Sequence, residues 1–222
     1  MNKLSIAFKH FKTICKHKYW VNYYCKICGI RWRGFKHDLS KFSPKEFCES
    51  IHYYTGVKSP IDTCKETKGY SLAWQHHKGR NDHHFEYWID FNGNETKPIR
   101  MPLECALEMI CDYLGAGHAY SSNAKKKFYY RDELEWFAAK IDAGCIMHKD
   151  TKKFVYLTLR SLATLDNAPI YKDKTTIKYI LKDKFLDKES LERLYNYATE
   201  LSDEKFELIR KSTEKKEVNI DV

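Results

Sequence analysis

Three observations in the sequence predict an all-α fold. Apolar residues recur at helical rather than alternating spacing along most of the chain. Serine-proline and glycine signals stand where helices of that spacing should begin and end. Strand-like alternation is nearly absent, apart from a polar stretch over residues 90–100 that suits a small hairpin around Asn92-Gly93-Asn94.

Taken in order, residues 4–28 form the first expected helix, with Leu4, Phe8, Phe11, Ile14 and Cys15 at helical spacing. Gly29 supplies its stop, because glycine reaches a positive φ without steric cost. A short link from Ile30 to Lys36 leads to His37-Asp38, placed on a short helix or tight turn. The next helix opens at Ser43, with Pro44 at its first position and Glu46 closing a capping box. Residues 55–70 contain Gly56, Pro60 and Gly69 and read as a loop. A helix from Tyr70 to Lys78 stops at Gly79, and Asn81-Asp82 caps a short helix running to Trp88. Pro102 starts a strong helix that the sequence ends at Leu114, before Gly115-Ala116-Gly117. One face carries Leu103, Leu107, Ile110 and Leu114, and Glu104, Glu108 and Asp112 form an acidic stripe. Three further helical segments follow at 131–141, 151–165 and 187–213, with Pro169 breaking the last two and a frayed tail from Lys215 to Val222.

The composition is that of a folding chain, long enough at 222 residues for one sizeable core and a small appended lobe. A net charge of +9 favours anionic partners such as nucleotides or nucleic acid. The lysines are spread along the chain in few blocks, which suits a merely solvated surface equally well. Polar and charged residues interrupt the start of the chain, so neither a signal peptide nor a membrane span is expected. The expectation is a cytoplasmic protein with no membrane partner and reduced thiols among its eight cysteines. Cys25-Lys26-Ile27-Cys28 has no second C-x-x-C to complete a zinc knuckle, and the pair reads as ordinary helix-end cysteines. Lys125-Lys126-Lys127 followed by Phe128, Tyr129 and Tyr130 suits a solvated helix start, with a grip on a single strand as the alternative. There is no phosphate-binding glycine loop, no G-x-S-x-G elbow and no H-E-x-x-H pair.

His37-Asp38-Leu39-Ser40-Lys41 is the most informative motif. An imidazole beside a carboxylate suits a divalent ion such as Mn, Fe, Ni, Mg or Zn. Lys41 lies about one helical turn on, where it can meet a phosphate as a point charge. Further candidate ligands are His17 in the preceding helix, Asp112 beside an apolar stripe, and His76, His77, His83 and His84 within nine residues. Each also has a plain structural reading. The His-Asp pair can be a hydrogen-bonded helix entry, His17 a surface residue, Asp112 a solvated carboxylate beside Glu108, and some of the four histidines packing for Trp74, Phe85 and Trp88.

The order His17, His37-Asp38, Asp112 on a helical chain resembles the HD superfamily of metal-dependent phosphohydrolases. His37-Asp38-Leu39-Ser40-Lys41 also resembles the HD-[IL]-x-K variant of HD phosphodiesterases, whose binuclear members add further histidines. Three blocks, HDLSKFSP at 37–44, AWQHHKGRNDHHFEYW at 73–88 and MPLECALEMICDYLGAG at 101–117, are similar to an uncharacterised bacterial and phage family over roughly residues 15–160. The resemblance implies an HD-like metal-binding helical domain over residues 1–160, with a helical C-terminal extension over 161–222. It implies one or two divalent ions, the first on His17, His37, Asp38 and Asp112, the second sharing Asp38 with histidines of the 76–84 cluster. Asp38 and Lys41 would be catalytic, and Lys41, Lys78 and Arg80 would meet the phosphoryl oxygens of a phosphorylated small molecule, a nucleotide above all. The implied activity is hydrolysis of a phosphate ester or phosphodiester by a metal-activated water. Alternatives are a pocket that sequesters a nucleotide signal without cleaving it, and a basic nucleic-acid-binding protein. A homo-oligomer is compatible with all three.

Overall fold

The computed structural model describes residues 2–167 and 181–218, and helices dominate it. Helix α1 (Lys3–Ile27) opens on Asn2, whose side chain accepts the Leu4 amide, and ends before Gly29, at φ +79°. The expected link after it is a short helix, α2 (Arg31–Lys36). A 3-10 turn (Leu39–Phe42) then leads into α3 (Pro44–Tyr53), where Ser43 accepts the Glu46 amide as its cap. Residues 55–70 are not all loop, because α4 (Pro60–Lys68) occupies most of them. Ser59-Pro60 repeats the serine-proline opening of α3, and Gly69 closes the helix at φ +81°. Helix α5 (Leu72–Lys78) follows. Asn81-Asp82 does not cap a helix to Trp88; a 3-10 turn (Phe85–Trp88) stands there, entered from His84. The hairpin is present as β1 (Ile89–Asn92) and β2 (Glu95–Pro98), antiparallel, with Asn92 opposite Glu95.

Helix α6 (Leu103–Asn123) runs straight through the glycines expected to end it. They serve packing instead. A Cβ on Gly115 would lie 2.5 Å from the Val21 Cγ2 and 3.1 Å from the Val21 amide nitrogen, so only glycine lets α6 lie this close to α1. Past Gly117, His118 is stacked between Trp20 and Phe128, with ring centroids 3.9 and 3.7 Å away, and its Nε2 is 2.8 Å from the Tyr24 hydroxyl. Gly34 acts likewise, since a Cβ there would meet Cys25 at 2.5 Å and push α2 off the end of α1.

The C-terminal part is built on α8 (Lys149–Ala163), which packs against α7 (Tyr130–Asp142) and α9 (Lys188–Glu200). Phe154, Val155, Leu159 and Leu162 are fully buried there. Phe154 meets Tyr195 edge-on, and Tyr156 meets Phe206 of α10 (Asp203–Val218) in the same way. The expected helix over 187–213 is thus two helices, broken at Leu201-Ser202. The break at Pro169 and the last four residues of the tail lie outside the described residues. Among the described residues no helix is long and apolar enough to cross a membrane.

Candidate metal centre

The close α1–α6 packing carries His17 and Asp112 to one another, with 3.1 Å between His17 Nε2 and Asp112 Oδ1. Helix α2 returns along α1 and ends at His37, whose Nε2 lies 3.2 Å from that of His17. Asp38 then takes a left-handed backbone, φ +53°, which non-glycine residues adopt rarely and Asp and Asn most readily. That local turn aims a fully buried carboxylate inward. Its Oδ2 is 3.3 Å from His17 Nε2 and 3.2 Å from His37 Nε2, while His37 Nε2 is 3.4 Å from Asp112 Oδ1. Ligand atoms about 2.1 Å from a cation stand about 3.0–3.4 Å apart along octahedral or tetrahedral edges. The four side chains already have that spacing.

A second nest opens on the other oxygen of the same carboxylate. Asp38 Oδ1 lies 3.2 Å from His77 Nε2 and 3.4 Å from His83 Nε2, and His84 completes the group. Asp38 Oδ1 and the Nε2 atoms of His77, His83 and His84 are buried without a hydrogen-bond partner, while Oδ2 is met by the Lys41 ammonium. Four such orphaned atoms gathered at one carboxylate would be costly in a finished interior. These buried clusters could hold a metal ion.

Two glutamates hold the imidazoles in place. Glu108 Oε1 accepts from His37 Nδ1 at 2.9 Å and stands 3.2 Å from His83 Nδ1, while its Oε2 accepts from Arg33 Nε at 2.6 Å. Arg33 also pairs with Asp82. Glu46 accepts from His76 Nδ1 at 2.7 Å and His77 Nδ1 at 2.8 Å. A carboxylate on Nδ1 fixes the tautomer and turns the Nε2 lone pair toward the nest. Glu46 is thus buried among histidines and is not the return arm of a capping box. Helix α5 reaches it because Glu49 of α3 accepts the Ala73 amide at 3.0 Å and pins the start of α5 onto α3.

Charge inside the centre follows this geometry. Burial alone would raise the Asp38 carboxyl, but His37, Lys41 and His77 beside it hold it well below the usual range. Burial likewise opposes ionisation of Asp112 and Glu108, and their histidine partners hold both low. Burial would lower His37, yet the charge of Asp38 and the hydrogen bonds of Asp112, Asp38 and Glu108 raise it well above its ordinary value. Burial together with the neighbouring His83 and His77 pushes His84 well down, so it is a neutral imidazole. The Lys41 ammonium sits 2.5 Å from Asp38 Oδ2, and Asp38 and Asp112 together raise it above its ordinary value against the pull of burial.

Of the residues singled out in the sequence, His17, His37, Asp38, Asp112, His77, His83 and His84 come together, with Lys41 at their edge. His76 does not join either nest; its Nδ1 is held by Glu46. Lys78 is half-buried and Arg80 exposed, and neither makes an ion pair with the cluster carboxylates. Glu46, Glu108 and Arg33 were not anticipated as parts of the site. Glu108 carried a signal, lying one turn before Asp112 on the same helix face.

Fold and site together define a helical protein whose buried histidine–carboxylate clusters could hold a metal ion. The chain belongs to DUF5662, a family of unknown function, whose model matches residues 7–161. No curated protein and no solved structure matches the chain.

Proposed function

We propose that this protein is a divalent-metal-dependent phosphohydrolase acting on a phosphate ester or phosphodiester of a nucleotide or nucleotide-derived compound. The observation that carries the reading is the division of Asp38 between two nests, one on each carboxylate oxygen. The residues fit two ions, with His17, His37, Asp38 and Asp112 around one and Asp38, His77, His83 and His84 around the other. Divalent ions in such a pair acidify water and offset charge on a phosphoryl group.

The rest of the chemistry lies with the chain's own groups. Glu108 and Glu46 keep imidazole Nε2 atoms aimed at the nests, so little reorganisation is needed on loading. The Lys41 ammonium, 2.5 Å from Asp38 Oδ2, would neutralise a phosphoryl oxygen as charge develops. Its side chain is 26% exposed, and it reaches from solvent to the cluster. Lys78 and Arg80 would meet more distant parts of a substrate.

The test is metal analysis of the purified protein after exposure to Mn, Fe, Ni and Zn, beside His37→Ala/Asp38→Asn, followed by a phosphate-ester screen of the loaded wild type. Asn keeps the left-handed turn at residue 38 while removing the charge. Stoichiometric metal lost in the variant, with product released by wild type alone, is expected. Equal metal in both folded proteins, or turnover retained by the variant, would sink the reading. A substrate recovered unaltered from a metal-loaded complex would make the pocket a sequestering one.

A further inference from the structure

The net charge of +9 is not spread along the chain. Residues 1–45 hold eleven Lys and Arg against a single acid, a net +10, while the remaining 177 residues hold 28 against 29. That single acid is Asp38, buried in the centre. The excess therefore lies on α1, α2, the 3-10 turn and the entry to α3, with no surface carboxylate among those residues to offset it.

The same segments expose aromatic rings. Phe8, Phe11 and Tyr19 stand out from α1, Trp32 and Phe35 from α2, and Phe42 from the 3-10 turn, at exposures from 39% to 74%. Their elements lie side by side, running in opposite directions. Gly34 packs on Cys25, the Lys18 ammonium donates to the His37 carbonyl, and the Phe11 and Phe42 rings are 5.8 Å apart. Lys12 lies 4.4 Å from the Phe8 ring centroid, so charge and rings are interleaved. The 3-10 turn joins this surface to the centre. Side chains three apart eclipse in such a turn. Leu39 and Phe42 are exposed, whereas Asp38 and Lys41 meet at the cluster.

We propose that this face binds a single-stranded polynucleotide, with phosphates along the lysines and bases stacked on the exposed rings, and leads the strand past the turn to the centre. Unpaired bases offer flat faces to aromatic side chains, and a polyanion complements segments that carry no exposed carboxylate of their own. A duplex keeps its bases inside and would use only the charge. That the bound strand is also a substrate rests on the hydrolytic reading above; the binding does not.

The experiment measures fluorescence anisotropy of a labelled oligothymidylate of about 16 nucleotides with the full chain in chelator, where no hydrolysis can occur. Expected are a loss of affinity of roughly 10²-fold between about 50 and 200 mM salt and weaker binding of a duplex of equal length. Trp32→Ala/Phe35→Ala should weaken binding at least about tenfold without a change in Tm, since both rings are largely exposed. Lys3→Gln/Lys12→Gln/Lys36→Gln should flatten the salt dependence. Binding unaffected by either variant would overturn the proposal, as would no binding at all. So would attachment to anionic phospholipid vesicles without oligonucleotide binding. Because the assay is metal-free, such a failure leaves the metal analysis standing, and a failed metal analysis leaves this assay standing.

Discussion

The N-terminal and C-terminal parts of the molecule are both buried and helical, yet they bury opposite chemistries. Helices α1 to α6 enclose His17, His37, Asp38, Glu46, His77, His83, Glu108 and Asp112. Helices α7 to α10 enclose mainly Leu134, Phe137, Phe154, Leu159, Leu162, Leu191 and Phe206. The C-terminal part is mainly apolar inside. It pairs some of the charge it buries, as when Lys153 donates to the Leu201 carbonyl at 2.6 Å and pairs with Asp203, while Asp150 Oδ1 and Arg210 Nε are buried without a hydrogen-bond partner. The polar centre gathers four buried atoms without hydrogen-bond partners around one carboxylate: Asp38 Oδ1 and the Nε2 atoms of His77, His83 and His84. One region buries mostly apolar surface, and the other buries a polar cluster that could hold a metal ion.

The sharpest way to break this comparison is a cavity in the apolar part. Phe154→Ala should cost about 3–5 kcal/mol in chemical denaturation, while the metal content of the remaining folded protein is unchanged. Loss of metal from that folded fraction would show that the regions are not separable. Next in size is metal itself. A divalent ion held at about 100 times its Kd should stabilise wild type by about 2.7 kcal/mol and do nothing for Asp38→Asn. Hydrogen exchange should place the added protection in α1, α3 and α5, with the Phe154 turn of α8 unmoved.

Smaller is Glu108→Gln, which preserves shape but not charge behind His37 and His83. Metal affinity, measured by chelator competition, should fall about 10–100-fold. Smallest is a pH effect at Glu133, whose carboxyl is pushed up to about 8 by burial, then by Asp132 and Asp112. A carboxyl with a raised folded-state value contributes stability that is fully present below its ordinary pKa and lost as pH climbs through about 8. Glu133→Gln should flatten stability over that window by about 1–2 kcal/mol, a value discounted for partial exposure. An unchanged pH profile would remove Glu133 from the account.

Much of the centre was legible because metal-type residues are scarce and stood in order. His17, His37-Asp38, Asp112 and the histidine cluster could be found by identity alone. Which of four clustered histidines face inward could not, since that depends on how α5 is pinned by Glu49. Glu46 was hidden by a local explanation that fitted it, because its position three after Ser43 is also that of a capping box. The length of α6 was misread for a similar reason. Glycine ends helices when exposed, but Gly115 and Gly117 face neighbours that leave no room for a Cβ, and only the packing reveals it. Helix α4, in contrast, carried the Ser-Pro opening already recognised at α3.

The left-handed backbone of Asp38 bears on how this protein can change over generations. A single base change in an aspartate codon reaches Asn and Gly, the two residues that hold such a turn with least strain. Both lack the shared carboxylate. The position offers ready genetic routes by which the charge at the cluster can vanish while the turn is kept. Copies that carry Asn or Gly there should be sound helical proteins whose histidines no longer face a common carboxylate and would be free to drift.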